Sequence, residues 1–369
     1  MLTQYFPESS VIKDRLSSIV VEEIERRRQL GMETVSTANI NIFLDFPDVG
    51  GEFTYIEGNP TVHLNILTEV AFTPELAKKY HQELQEMSRW FAGVKPFAVQ
   101  ETGNAVKGEL ARLLVNPEGL EHLDLSKFPP EYREQYTNSL PALREQVPTV
   151  RDYTRRVILE AKGTNLNWFR SAIRHELEHL NPEYIEVNTK LRAFVLETIA
   201  MTKRAEKGES LPSNSELRQQ INQYLSQAAF AVPADEIRAH FCQYFKPETD
   251  TKDTVAGRRQ DIERVIVEQY LPNEYRKTIS GMVIRRMYVQ AANEGREFDQ
   301  NTVNYVTNTL YQGTVNPSNL PVRLDKLDKK LADGMFEEIA FWENKFREGI
   351  KFGLDRAEAF YTGKLKQAA

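Results

Sequence analysis

Residues 164–184 read TNLNWFRSAIRHELEHLNPEY. Positions 175–179 are HELEH, which matches the H-E-x-x-H pattern. Residues four apart lie on one face of an α-helix, so His175 and His179 can direct two imidazoles at one point. Two neutral imidazoles at this spacing suit zinc, and the glutamate between them is the usual base for a metal-bound water.

At about 100° per residue, this stretch forms a helix with three distinct faces. A continuous apolar stripe is predicted to face the core, and it consists of Leu166, Phe169, Ile173, Leu177 and Leu180. His175 and His179 lie on nearly the opposite side, next to Trp168 and Ala172. A helix with one packed face, one face in water and two histidines on a third suits the floor of a cleft.

The helical wheel also separates the two glutamates of the motif. Glu176 lies between the histidine face and the apolar stripe, so it is the one placed to serve a metal-bound water. Glu178 lies on a polar line with Arg170 and Arg174, which is predicted to face water. Arg174 and Glu178, four residues apart, are expected to form a surface pair, so replacing Glu178 should have little effect.

The composition is that of an ordinary soluble globular protein. The chain has 369 residues, of which 41% are hydrophobic and 27% are charged, with a formal net charge of −6. That charge argues against nucleic-acid binding, and no apolar run reaches the length of a membrane span. The single Cys242 and an N-terminus without a signal-peptide pattern predict a cytoplasmic protein, with virion association as the alternative.

The pattern of apolar residues predicts an α+β fold that is mostly helical, with a small antiparallel or mixed sheet before residue 165. In the front half it predicts helices at 9–31 and 74–92, strands at 39–46, 53–56, 61–66 and 152–161, and an irregular excursion at 115–149. The second and third strands are expected to form a hairpin. The strand at 152–161 is expected to lead directly into the motif helix.

The back half is predicted to be helical throughout. The helices are expected at 189–203, 216–229, 235–245, 256–269, 274–294, 299–310 and 324–361. A linker-like break at 207–213 divides the chain into domains 1–206 and 215–369. The C-terminal helices are expected to offer a surface to a protein partner.

A site with two histidines needs at least one further ligand. Structural zinc sites are rich in cysteine, whereas two histidines with a third oxygen or nitrogen ligand leave a position open for water, which is the catalytic pattern. The longer H-E-x-x-H-x-x-G-x-x-H pattern is absent, because Pro182 and Ile185 occupy its last two defined positions. Glu197 on the next helix is the first choice for third ligand; the alternatives are Glu186, Glu183 and His240.

HELEH on a helix, preceded by a strand and followed by a helix that carries a glutamate, resembles the zincin superfamily of metallopeptidases, and in particular its gluzincin branch. That resemblance covers roughly residues 150–205 and implies that domain 1–206 is a zincin-like peptidase domain. It implies zinc ligation by His175, His179 and Glu197, with Glu176 as the base. The segment KLRAF also looks like the E-x-R-A-F/Y helix of small zincin-like proteins often encoded by phages, except that Lys190 stands in the acidic position.

Two functions of different classes follow from the sequence. The first is a zinc-dependent peptidase that hydrolyses a protein or peptide substrate. No Tyr or His at a recognisable family spacing offers a transition-state stabiliser, although Tyr184 is near enough in the sequence to consider. The second is a structural or assembly protein, such as a phage virion or host-interaction component, that carries a degenerate zincin domain. The intact HELEH favours the first function, whereas Lys190, the long helical half and the missing stabiliser favour the second.

Overall fold

The computed structural model describes residues 6–7, 9–32, 40–43, 51–56, 59–65, 74–102, 120, 124–127, 130–163, 169–312 and 328–368. The chain divides into two compact units, Met1–Leu180 and Asn181–Ala369. The described part is mostly helical and holds one small sheet before residue 165, which confirms the predicted α+β class.

The first unit begins with helix α1, Ser9–Gln29, close to the predicted bounds. Its apolar residues recur every three or four positions, and Ile12, Leu16 and Val20 are fully buried. Gly31, with φ of 60°, supplies the left-handed backbone that follows the helix.

A three-stranded mixed sheet follows α1. The strands are β1 (Ile40–Phe43), β2 (Gly51–Ile56) and β3 (Asn59–Asn65), in the order β1-β3-β2. β3 pairs in parallel with β1 and antiparallel with β2, so the predicted hairpin is confirmed. The register sets Ile40 and Phe53 opposite Val62, which places these three residues on one face of the sheet.

Three further helices precede the motif helix in the first unit. They are α2 (Pro74–Lys79), α3 (His81–Thr102) and α4 (Pro130–Gly163). α3 packs on α4, where the indole nitrogen of Trp90 donates a hydrogen bond of 2.9 Å to the carbonyl of Leu143.

Helix α4 corrects two predictions. The predicted strand at 152–161 is wrong, and so is the irregular excursion over the part of 115–149 that belongs to α4. The buried residues of α4 recur at helical spacing, and they are Leu140, Leu143, Val147, Val150, Thr154, Val157 and Ile158. Val157, Ile158 and Leu159 resemble a strand as a run, but Leu159 is exposed, as helical periodicity requires.

The second unit contains no strand in its described residues, as predicted. Its helices are α6 (Pro182–Glu206), α7 (Asn214–Tyr244), α8 (Lys252–Val265), α9 (Arg276–Asn293), α10 (Gln300–Gln312) and α11 (Lys329–Ala368), with a π-helical segment at Ile266–Tyr275. α11 runs along α7 and also packs on α8, α9 and α10. The predicted break at 207–213 is confirmed, because Gly208 has a φ of 66° and Ser213 forms a capping box with Glu216.

Helix α7 corrects the prediction of separate helices at 216–229 and 235–245. It continues through Pro233, which has no N–H to donate to the carbonyl of Ala229. α11 approaches closely at this carbonyl: a Cβ added to Gly349 would lie 1.8 Å from the oxygen of Ala229. Helix α7 therefore stays unbroken at the place where it packs against Gly349 and Gly353 of α11.

The boundary between the units differs from the predicted one. The units divide at Leu180, whereas the break at 207–213 separates two helices of the second unit. The reason is that α6 packs on α7 and α9, so it belongs with the C-terminal helices.

Candidate metal centre

The first four residues of the motif lie on helix α5, Phe169–Glu178, in the first unit, and His179 lies in the turn that directly follows this helix. α5 packs against α1 and against strands β2 and β3. Phe169, Ile173 and Leu177 are buried, which confirms the predicted apolar stripe for the residues that the structure describes. Positions 164–168, including Trp168 and Leu166, lie outside the described residues.

The two histidines of the motif lie side by side. Their ring centroids are 5.1 Å apart, with an angle of 75° between the planes. With Zn–N bonds of about 2.0–2.1 Å and tetrahedral angles, two imidazole ring centres on one zinc ion lie about 5 Å apart. The ring of His179 also packs on Phe53 of β2, at 5.7 Å between centroids. β2 is an edge strand of the sheet, so the ring of His179 packs on a residue of an edge strand.

Glu176 lies where the helical wheel predicts, between the histidine face and the apolar stripe. Its residue is 8% exposed, so most of its surface is removed from water. A carboxylate that is mostly shielded from water and precedes the second histidine by three residues is of the type that would serve as a base if a metal-bound water lay within its reach.

Glu178 corrects the prediction of a water-facing side chain. It is fully buried, and its Oε2 accepts a hydrogen bond of 2.6 Å from Nη1 of Arg27 on α1. The side chains of Arg27 and Glu178 are 1% and 0% exposed. The expected pair between Arg174 and Glu178 is therefore replaced by an ion pair between two helices.

The arginines of the same polar line also contact α1. Arg174 donates two hydrogen bonds, of 2.7 and 3.1 Å, to the carboxylate of Glu23, and Arg170 donates one of 3.0 Å. Burial acts to raise the pKa of Glu23, but hydrogen bonds and charge from Arg174 and Arg170 outweigh it and hold that pKa below its ordinary value of 4.5. Glu23 is therefore ionised at neutral pH and binds both arginines.

Sequence reasoning missed Glu23 and Arg27 as partners of the motif helix. The signal that could have found them is their position, because they continue the three-four spacing of Leu16 and Val20 along the buried side of α1. Charged residues on a buried stripe require opposite charges, and α5 supplies them.

The first-choice third ligand, Glu197, lies on α6 in the second unit, and its side chain is exposed. Glu186 lies on the same helix and pairs with Lys190 at 2.6 Å. The hydrogen bond and charge of Lys190 hold the pKa of the Glu186 carboxyl below its ordinary value. Lys190, the residue that departs from the family pattern, thus takes part in an exposed ion pair within one helix.

The other two alternatives also belong to the second unit. Glu183 lies 3.3 Å from Arg356 and 3.7 Å from Arg238. Nε2 of His240 lies 3.4 Å from Oε1 of Glu236, one turn earlier on α7. Histidines that bind a metal commonly contact a carboxylate through their other ring nitrogen. Glu236 is a neighbour of this type for His240.

Tyr184, the candidate for transition-state stabilisation, is buried in the second unit. Burial raises its pKa to about 12, against the opposing charge of Arg238, so the phenol keeps its proton at neutral pH. A protonated phenol is the form that can donate a hydrogen bond.

Comparison with protein-family models, with curated proteins and with solved structures finds no match to this chain. Among the helices that the structure describes, none combines the length and apolar character needed to cross a membrane.

Proposed function

We propose that this chain is a zinc-dependent peptidase with a zincin-like first half. In this proposal His175 and His179 hold the metal, and Glu176 is the general base. The observation that supports it most directly is the 5.1 Å separation of the two imidazole ring centroids, which is compatible with the roughly 5 Å between two imidazoles that share one tetrahedral ion.

The donor set fits zinc on chemical grounds. Imidazole nitrogens at i and i+4 are typical zinc ligands, and the only thiol of the chain, Cys242, is buried in the second unit. Bound zinc would supply an acidified water and a polarised substrate carbonyl. Glu176 would take the proton of that water and deliver it to the leaving amine, since its carboxylate lies on the same helix, between the two ligands in sequence.

The further protein ligand stays a prediction, with Glu197 as the first choice. Glu183, Glu186 and His240 are the alternatives, and each has a partner in the second unit. Metal retention by variants of all four residues would identify the ligand. The residue whose replacement weakens zinc binding most, without changing the thermal midpoint, is the ligand.

The test of the metal site is the zinc content of protein purified without added metal. Wild type should carry about one zinc per chain, and His179→Ala should lose it. His81→Ala is the matched control, because His81 is an exposed histidine on α3 of the same unit. Equal zinc content in wild type and His179→Ala would refute the site.

A structural or assembly role, with a degenerate zincin domain, is the second candidate. It is favoured by Lys190, which stands where similar proteins have an acidic residue. Near-stoichiometric zinc in a wild-type protein that cleaves no member of a broad peptide library would support this role and exclude the peptidase. Hydrolysis that depends on Glu176 would exclude the structural role as the sole function.

A further inference from the structure

Each charged residue on the polar line of helix α5 contacts a residue of opposite charge on α1. Three α5 residues spaced four apart face three charged α1 residues of opposite sign. The pairs, in chain order, are Arg170 with both Glu22 and Glu23, Arg174 with Glu23, and Glu178 with Arg27. The pairs occur in the same order along both helices, so they define one register between α1 and α5.

Other registers between the two helices are penalised by charge. A shift of α5 by one turn would bring Glu178 against Glu23, and a shift in the other direction would bring Arg174 against Arg27. Like charges in contact are strongly unfavourable where water is excluded, and Glu23, Arg27 and Glu178 are all buried. The charge pattern therefore selects both the register and the rotation of the motif helix.

We propose that Arg27 and Glu178 are a positioning pair for the metal site. The proposal rests on the proposed zinc site at His175 and His179. Glu178 is the last residue of α5 and immediately precedes His179, so fixing the end of the helix also fixes the start of the turn that carries His179. Because Glu178 is fixed on α1, His179 is directed towards Phe53 on β2, where its ring is found.

An apolar pair in place of Arg27 and Glu178 would not select the rotation in this way. Hydrophobic contacts are non-directional, whereas the bond between Nη1 of Arg27 and Oε2 of Glu178 requires one orientation of each side chain. Replacing a buried ion pair by well-packed apolar residues often preserves stability. Stability and positioning can therefore be separated by experiment.

The decisive variant is Arg27→Met combined with Glu178→Leu, which removes both charges and leaves neither partner alone. The readouts are the thermal midpoint, the dissociation constant for Co²⁺ and the visible absorption of bound Co²⁺. The matched control makes the same changes in the exposed pair of α1, Arg28→Met with Glu25→Leu, whose side chains are 63% and 46% exposed.

The double variant at Arg27 and Glu178 is expected to keep a midpoint near that of wild type. Its Co²⁺ dissociation constant should rise about 10–100-fold, the usual effect of disturbing residues that orient a metal ligand. The tetrahedral absorption band of Co²⁺ should also weaken, while the control keeps both properties. A folded double variant with the wild-type affinity and band would overturn the positioning role.

A second variant keeps the test decisive if the double variant does not fold. Glu178→Gln is then measured below its own midpoint, with Co²⁺ affinity expressed per folded molecule. Weaker binding supports the positioning role, and unchanged binding overturns it. A wild type that binds Co²⁺ no better than His175→Ala would instead refute the proposed metal site, so the two failures are distinguishable.

Discussion

Replacing Gly349 by alanine is expected to disrupt the contact between α7 and α11. The added Cβ would lie 1.8 Å from the oxygen of Ala229, 2.8 Å from its carbonyl carbon and 3.1 Å from Cα of Phe230. All three atoms are backbone, so no side chain can rotate out of the way. Carbon–oxygen contacts in proteins lie at about 3.3–3.6 Å, so the helices must separate by roughly 1.5 Å.

The expected cost follows from two opposing terms. Overpacking a well-packed contact destabilises by about 1–3 kcal/mol, and a clash with backbone belongs at the upper end. Alanine is a better helix former than glycine by about 1 kcal/mol, which offsets part of that cost. We therefore expect Gly349→Ala to reduce the free energy of unfolding of the second unit by about 2 kcal/mol.

Hydrogen exchange, followed by mass spectrometry on peptides from α7 and α11, measures this unit separately from the first. Gly334→Ala on α11 is the matched control, because nothing lies within 4 Å of the added carbon. The control should gain about 0.5–1 kcal/mol from helix propensity alone. Equal protection in Gly349→Ala and Gly334→Ala would refute the close approach of the two helices.

Three further outcomes concern the first unit. Glu176→Gln should retain zinc while peptide hydrolysis falls by about two to four orders of magnitude, measured as rate per bound zinc. Glu178→Gln should destabilise the unit by about 3 kcal/mol, seen as faster exchange in α1 peptides, because Arg27 loses its buried counter-charge. Since the pKa of Glu23 is lowered in the folded state, its contribution is full above about 4.5 and is lost as the pH falls through the folded-state pKa. Acid titration of stability should therefore be shallower in Glu23→Gln, and an unchanged slope would contradict the role of its ion pairs.

Local periodicity was enough to predict the elements whose burial follows from their own residues. Helix α1, the β2–β3 hairpin and the break before α7 were all predicted from spacing and turn residues. The apolar spacing at 324–361 likewise predicted α11 within the residues that the structure describes. Gly349 shows a limit, because sequence alone presents a glycine inside a helix as a weak point, whereas its close approach to Ala229 makes it a packing requirement.

Contacts between residues far apart in the chain explain why the burial of the polar line of α5 was not predicted. A line of Arg170, Arg174 and Glu178 looks like a solvated face, since nothing nearby in the chain indicates burial. Its partners lie about 150 residues earlier, and only their charges make burial favourable. The prediction for α4 failed for the same reason. The apolar run at 157–159 is typical of a strand, but the packing of α4 on α3 favours a helix.

The pairing of α5 with α1 also has a consequence for the order of events during synthesis. Helix α5 has 10 residues, shorter than the roughly 12–15 that an isolated helix needs for even marginal stability in water. Its partner Arg27 leaves the ribosome 151 residues before Glu178. Until α1 closes that long loop onto the newly made segment, the two histidines have no fixed direction. A chain that lacked α1 would therefore keep the whole HELEH sequence and lose the geometry on which a metal site depends.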